Sequence, residues 1–347
     1  MAYTNINNGK DYFNTKLYTG NGSTQSINGI GFQPDWIWIK NRDDADSSNI
    51  FDSVRGSTKV LFSDQTTAEI DTGTRLTSFD TDGFSINSTS GQINFSGEKY
   101  ASWNWLASNT TASNTDGSIT STVSANVTSG FSIVSYTGTG SVSTVGHGLG
   151  TAPKLIFFKD RETSVDWGVY SETIGNGNEL YLSTNDEPGA NSGAFNSTSP
   201  TSSVFTIGTS SRYNPNNKGV IAYCFAPKKG FSKFGKFTAT SSTDGPFVYT
   251  GFKPAFILVK GQTGTNWLPI DNARDTINPR NNWLRMNTAA AEFSPTNKGT
   301  GWDFLSNGFK VRNWNQDFND TGSDPYYYWA FAENPFVSST GTPVTAV

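Results

Sequence analysis

Cysteine, histidine and methionine are almost missing from this sequence: its 347 residues include one Cys, one His and two Met. The lone cysteine, Cys224, excludes an intrachain disulfide. With only His147 beside it, a His/Cys zinc site is implausible. Charge is scarce as well, with 16% Asp, Glu, Lys and Arg against the ~25% of an average globular protein. The net charge is -4 and no basic stripe runs along the chain, so the footprint of a phosphate-backbone reader is missing and no nucleic-acid partner is expected. No run approaches the ~18 apolar residues of a membrane span. The first residues, "MAYTNINNGKDYFN", hold no apolar core, so no signal peptide is expected and the chain reads as a soluble product of a cytoplasm. Helix signals are weak too: "NTAAAEF" at 287–293 could form one turn at most.

Turn formers and rings take their place. The chain has 35 Gly, 14 Pro and 14% aromatic residues, with Ser, Thr and Asn supplying most of the polarity. That profile predicts an all-β protein, and the rings argue against disorder.

The pattern Gly-x-x-Pro-x-(aromatic or Leu)-Ile-x-x-Lys occurs three times, as "GFQPDWIWIK" from Gly31, "GTAPKLIFFK" from Gly150 and "GFKPAFILVK" from Gly251. Each copy keeps the same company in the same order. Tyr18-Thr19, Tyr136-Thr137 and Phe237-Thr238 precede it; Phe84, Phe205 and Phe309 follow it. The closing pairs are Trp103 and Trp105, Tyr223 and Phe225, Trp329 and Phe331. Ordered landmarks at near-constant spacing mark an internal repeat. The expected fold is three tandem β-sandwiches, jelly-roll or lectin-like, of one ancestral unit. Unit one spans 1–107 with an N-terminal arm, unit two 130–230 and unit three 231–336. Residues 108–129, rich in Ser, Thr and Asn, read as a linker, with an extended arm laid along a neighbour preferred; 337–347 is a tail. In each motif strand both faces are apolar, whereas a half-exposed strand alternates. One face belongs to the unit's own core and the other must meet a neighbouring unit, a covering loop or a partner chain. Pro34, Trp36, Trp38, Pro153, Phe157, Pro254 and Phe256 are therefore scaffold residues.

Candidate chemistry is thin. Asp52 with Arg55, and Asp271 with Arg274, read as local ion pairs bracing exposed turns, each worth ~0–1 kcal/mol. "EIDTGT" at 69–74 would put Glu69 and Asp71 on one face of a strand, as a carboxylate pair requires, but a solvated loop is favoured. His147 lies between glycines with no nucleophile elbow nearby, and Cys224 reads as a buried thiol. No catalytic residue, metal or cofactor is expected. The surplus tryptophans Trp167, Trp267, Trp283, Trp302 and Trp314 remain as candidate ligand-binding residues that could stack on sugars, the alternative being core packing.

The stretches "KLYTGNGSTQSI", "PDWIWIKNRD", "FDSVRG", "IAYCFA", "FVYTGFKPAFILVK" and "AFAENPF" resemble a family of virion-associated proteins of marine tailed bacteriophages, over essentially the whole chain. The resemblance implies a virion location and a structural, tail-fibre or adhesin-like role, with lectin-like sandwiches; it carries over no catalytic residue. The expectation is a non-enzymatic surface component that binds host-surface glycan or receptor. Its partners would be other tail or capsid proteins, and homo-oligomerisation is left open. A capsid decoration protein is the alternative, and a glycan hydrolase the third reading.

Overall fold

A computed structural model describes residues 4–295, 301–312, 316–320 and 324–335. These fold almost entirely into antiparallel sheet, as expected for an all-β chain.

One strand order is used three times. In the first large sheet Phe13–Thr19 pairs with Lys99–Trp105, then come Trp36–Asn41 and Asn49–Asp52. In the second the order is Phe131–Thr137, Gly219–Phe225, Leu155–Asp160 and Gly168–Ser171. In the third it is Ser232–Thr238, Pro325–Pro335, Phe252–Gly261 and Leu268–Asp271. We call these the opening, closing, motif and flanking strands. The motif strand thus lies inside the sheet, between closing and flanking strands, which suits its β-branched and aromatic content. Pro34 and Pro153 stand just before their strands. Pro254 sits within its strand at a register shift, where a missing N–H costs no ladder bond.

Each large sheet is faced by a smaller one. These pair Thr24–Asn28 with Gly83–Asn87, Ser143–Gly146 with Val204–Ile207, and Phe247–Tyr249 with Gly308–Val311. Between the two layers of the first unit lie Tyr18, Ile37, Ile39, Phe84, Ile86 and Tyr100. Val134, Tyr136, Ile156, Phe158, Phe205 and Cys224 fill the second. The layers are unequal, so the units are lopsided sandwiches rather than jelly rolls of two matched sheets.

Residues 108–129 do more than tether. Ala112–Asn114 and Ser121–Asn126 add two strands to the edge of the second large sheet, outside Phe131–Thr137. Between them Ile119 bridges Val145 of the small sheet, and both side chains are buried. The polar composition is no obstacle, because a ladder is built from backbone groups.

Candidate functional site: three seams around an aromatic axis

The alternate residues of each motif strand face two different cores. Ile37 and Ile39 point into the first sandwich, whereas Trp36 and Trp38 point away from it into a cluster shared by all three sheets. Ile156 and Phe158 divide from Leu155 and Phe157 in the same way. At the centre stand the last rings of the three closing pairs. Ring centroids are 5.6 Å apart for Trp105 and Phe331, 5.8 Å for Phe225 and Phe331, and 6.1 Å for Trp105 and Phe225. Trp36 packs on Tyr223 at 4.9 Å, and Trp103 and Trp105 pack on Phe256. The void left among these rings is about 10 Å³, roughly one water probe, so the axis is packed core and not a ligand channel.

Around this axis the units meet at three seams that share one contact. The motif lysine of each unit is fully buried and donates to a backbone carbonyl of the next unit. Lys40 reaches Thr288 O at 2.8 Å, Lys159 reaches Thr66 O at 3.1 Å, and Lys260 reaches Asn185 O at 3.1 Å. Burial pushes all three ammonium groups down to about 8, against the opposing pull of nearby carboxylates.

Beside each lysine, two seams carry a charge clamp. Glu69 of unit one lies between its own Arg55 at 3.1 Å and Arg161 of unit two at 2.8 Å. Glu292 of unit three lies between its own Arg274 at 2.7 Å and Arg42 of unit one at 2.6 Å. Burial raises the Glu69 carboxyl, but the two guanidinium groups outweigh it and hold it below its ordinary range. Arg55 also pairs with Asp52, and Arg274 with Asp271 at 2.6 Å; all four side chains are essentially inaccessible. Across the seam, Tyr223 donates to Asp52 at 2.6 Å and the Trp103 indole donates to Asp271 at 3.1 Å. These are not the exposed turn braces expected from the sequence. They are buried links between units, because the flanking strand that carries each Asp ends against the neighbouring sheet.

The third seam, from unit three to unit two, departs from the plan. Where the others have Asp and Arg, unit two has Ser171 and Ile174; where they have Arg42 and Arg161 after the motif strand, unit three has Gln262. The Ser171 hydroxyl is engaged locally with Thr173 Oγ1 at 2.7 Å. The buried Trp329 indole, equivalent to Trp103 and Tyr223, has no acceptor among the described residues.

A domain of unknown function, DUF7483, matches residues 8–335. The chain belongs to the DUF7483 family. The match runs from before the first opening strand to the end of the third closing strand, so the DUF7483 domain embraces all three large sheets and their seams. No curated protein matches the chain.

Within this DUF7483 chain the four surplus tryptophans among the described residues are structural. Trp167 and Trp267 each precede a flanking strand and sit in seams, fully buried, donating at 2.8 Å to Phe62 O and to Tyr181 O of the neighbouring unit. Trp302 is fully buried against Phe237 and Phe318. Trp283 is nearly so, between Phe293 and Phe318. None of these four offers a free face to a sugar. Trp314 lies outside the described residues, as does the tail 337–347.

His147 is buried, with Nε2 bonded to Thr201 O at 3.2 Å and Nδ1 accepting from Leu149 N–H at 3.2 Å. Burial lowers its pKa, so it is a neutral brace for a turn. Cys224 is a free, buried thiol whose pKa is raised by burial. Asp71 pairs with Lys59 at 2.7 Å while Glu69 serves a clamp, so "EIDTGT" holds no free carboxylate pair.

The residues missed in the sequence were the motif lysines and the Arg two positions beyond two of them. Their signal was present: a lysine that closes a doubly apolar strand three times over must end in a buried place.

Proposed function

We propose that this protein is a non-enzymatic surface component of a tailed-phage particle that adheres to the host surface through aromatic residues outside its core. The observation that carries this reading is the Trp105–Phe225–Phe331 axis, which welds three sandwiches into one rigid body with a threefold layout in a single chain. Such a body suits the tip of a threefold appendage, where several loops must meet a surface together and weak contacts add as avidity. The buried lysines, arginines and carboxylates at the seams are committed to linking the units, which supports a scaffold role over a catalytic one.

With four of the five tryptophans buried, the contact surface passes to exposed rings. Phe247 and Tyr249 alternate on an edge strand of the third unit and are 47% and 55% exposed; Phe95 of the first unit is 51% exposed. Tyr249 is backed by Lys233, whose ammonium lies 5.1 Å from the ring centre. A ring pair on one face of a strand is a stacking platform for a sugar. Purified protein is expected to bind host cells, and the Phe247→Ala and Tyr249→Ala double variant to lose at least tenfold in that binding while keeping its thermal midpoint within a few degrees. Failure of the unaltered protein to bind, combined with tens to hundreds of copies per particle, would overturn adhesion in favour of capsid decoration.

A further inference from the structure

The chain holds five Asn-Gly steps, at Asn8, Asn21, Asn28, Asn176 and Asn307. Asparagine is a chemically labile residue, and a following glycine leaves the next backbone nitrogen uncrowded for attack on the side-chain amide. That attack needs a peptide group free to turn. Four of the steps are held. Gly22 N–H donates to Asn94 O at 2.9 Å, and Gly29 N–H to Asp82 Oδ2 at 3.0 Å. Asn8 caps a helical turn, its Oδ1 accepting from Lys10 N–H at 3.2 Å, and Gly9 is boxed in by the Ala332 carbonyl. Asn307 O accepts from the N–H groups of Thr250 and Gly251 at 2.9 and 3.1 Å, and Gly308 begins a ladder opposite Leu305. The fifth is loose. Among the described residues neither the Asn176 carbonyl nor the Gly177 N–H makes a hydrogen bond, and a side chain added at Gly177 would meet nothing within 4 Å. The Asn176 side chain reaches the exposed Ser199 Oγ at 3.0 Å. Strand register makes Asn176 and Gly177 the counterparts of Ser57 and Thr58, since Val169 faces Leu180 as Ile50 faces Leu61. In unit one that turn is pinned: Arg55 donates to Ile50 O at 3.1 Å, Ser57 Oγ to Thr77 O at 3.2 Å, and Thr58 O accepts from Thr72 N–H at 2.9 Å. Unit two has Ile174 in place of the arginine, and its turn runs Gly175-Asn176-Gly177.

We propose that Asn176 is a self-modification site, where the folded protein deamidates faster than at its other Asn-Gly steps. The Gly177 nitrogen gives its proton to solvent base and attacks Asn176 Cγ. The Cγ–Nδ2 bond breaks, ammonia leaves and a cyclic imide closes. Water then opens one or the other carbonyl of the ring. One opening leaves aspartate; the other leaves isoaspartate, with the chain rerouted through the former side chain. Water is the only co-reactant, and nothing is oxidised or reduced. Each event adds one negative charge to a chain whose net charge is -4, and the isoaspartate product lengthens the turn by one methylene. The turn lies where the second unit has lost its Asp–Arg link, so relaxing the seam and exposing the labile step are one change in sequence. The site is independent of the virion reading.

The test is storage of the whole protein at mildly alkaline pH and body temperature, with samples digested in acid and their peptides read by mass spectrometry. Deamidation shows as a gain of one mass unit, and isoaspartate separates from aspartate by chromatography. The peptide holding Asn176 should convert at least fivefold faster than those holding Asn8, Asn21, Asn28 and Asn307, with isoaspartate among its products. The same chain kept unfolded in urea should convert all five at rates within about threefold of one another, because the selection comes from the fold. Gly177→Ala should slow the reaction at position 176 at least fivefold; the space around Gly177 leaves room for the methyl group. Asn176→Ser, which installs the residue of unit one, should remove the fast phase of the acidic charge shift seen by isoelectric focusing. Equal rates at the five steps in the folded protein would overturn the proposal. So would no conversion at Asn176 over a period in which the unfolded chain reacts, or an unchanged rate in Gly177→Ala.

Discussion

At the scale of single residues, the seams turn on polar atoms placed in apolar surroundings. The Tyr223 hydroxyl is buried between units and spends its hydrogen on Asp52 at 2.6 Å. Removing it leaves a buried carboxylate short of one donor, which costs about 1–3 kcal/mol. The Tyr328 hydroxyl, on a neighbouring closing strand, makes no hydrogen bond among the described residues. Tyr223→Phe is therefore expected to lower stability by that amount and Tyr328→Phe by less than about 0.5 kcal/mol, within the usual range of substitutions that remove no partnered group. Urea unfolding of the two variants beside the unaltered protein checks the difference; equal losses would show that the link to Asp52 does not hold the seam. Trp329 is the third member of this set. Its orphaned indole is what the loss of an acid at position 171 leaves behind.

At the scale of elements, the legible part of the fold was the motif strand. "WIWI", "LIFF" and "FILV" demanded cover on both faces, and the two cores supply it. The seams were harder to read because half of each bond is a backbone carbonyl. Nothing in the identity of Thr66, Thr288 or Asn185 announces that a lysine ends there. The tryptophans misled for a related reason. Trp167 and Trp267 lie outside the repeat landmarks, yet the seam begins one residue before each flanking strand. The arm 108–129 shows the same limit, since its ladder uses groups common to every residue. Ser121–Asn126 lies between Ala112–Asn114 and Phe131–Thr137, so a proline there loses a bond or clashes whichever way its nitrogen points. Val123→Pro is expected to release the arm: cleavage between residues 108 and 129 by a dilute protease should speed up at least tenfold while the three large sheets stay resistant. Unchanged cleavage would mean that the arm does not depend on its ladder.

At the scale of the whole molecule, three equivalent lysines make stability a function of pH. Each has a folded pKa of about 8 against an ordinary 10.5, because burial disfavours the charged ammonium. Between these values the unfolded chain binds more protons than the folded one, so unfolding free energy rises with pH. The cost of burying the charge is fully present below pH 8 and is relieved as pH climbs towards 10.5. The buried tyrosines act in the opposite sense. Burial raises Tyr18, Tyr136, Tyr213 and Tyr223 well above 10, so the folded state keeps protons that the unfolded state sheds above pH 10, and stability falls there. The urea midpoint should therefore climb from pH 8, peak near pH 10 and then drop, a profile opposite to that of a protein held by exposed lysine ion pairs. Lys159→Met removes one of three like contributors and should flatten the rise by about a third, although it also lowers the whole curve by leaving the Thr66 carbonyl unpaired. A midpoint that falls steadily from pH 8 to 10, or a Lys159→Met variant with the same slope as the unaltered chain, would show that burial in the seams does not disfavour the charged form of the three lysines.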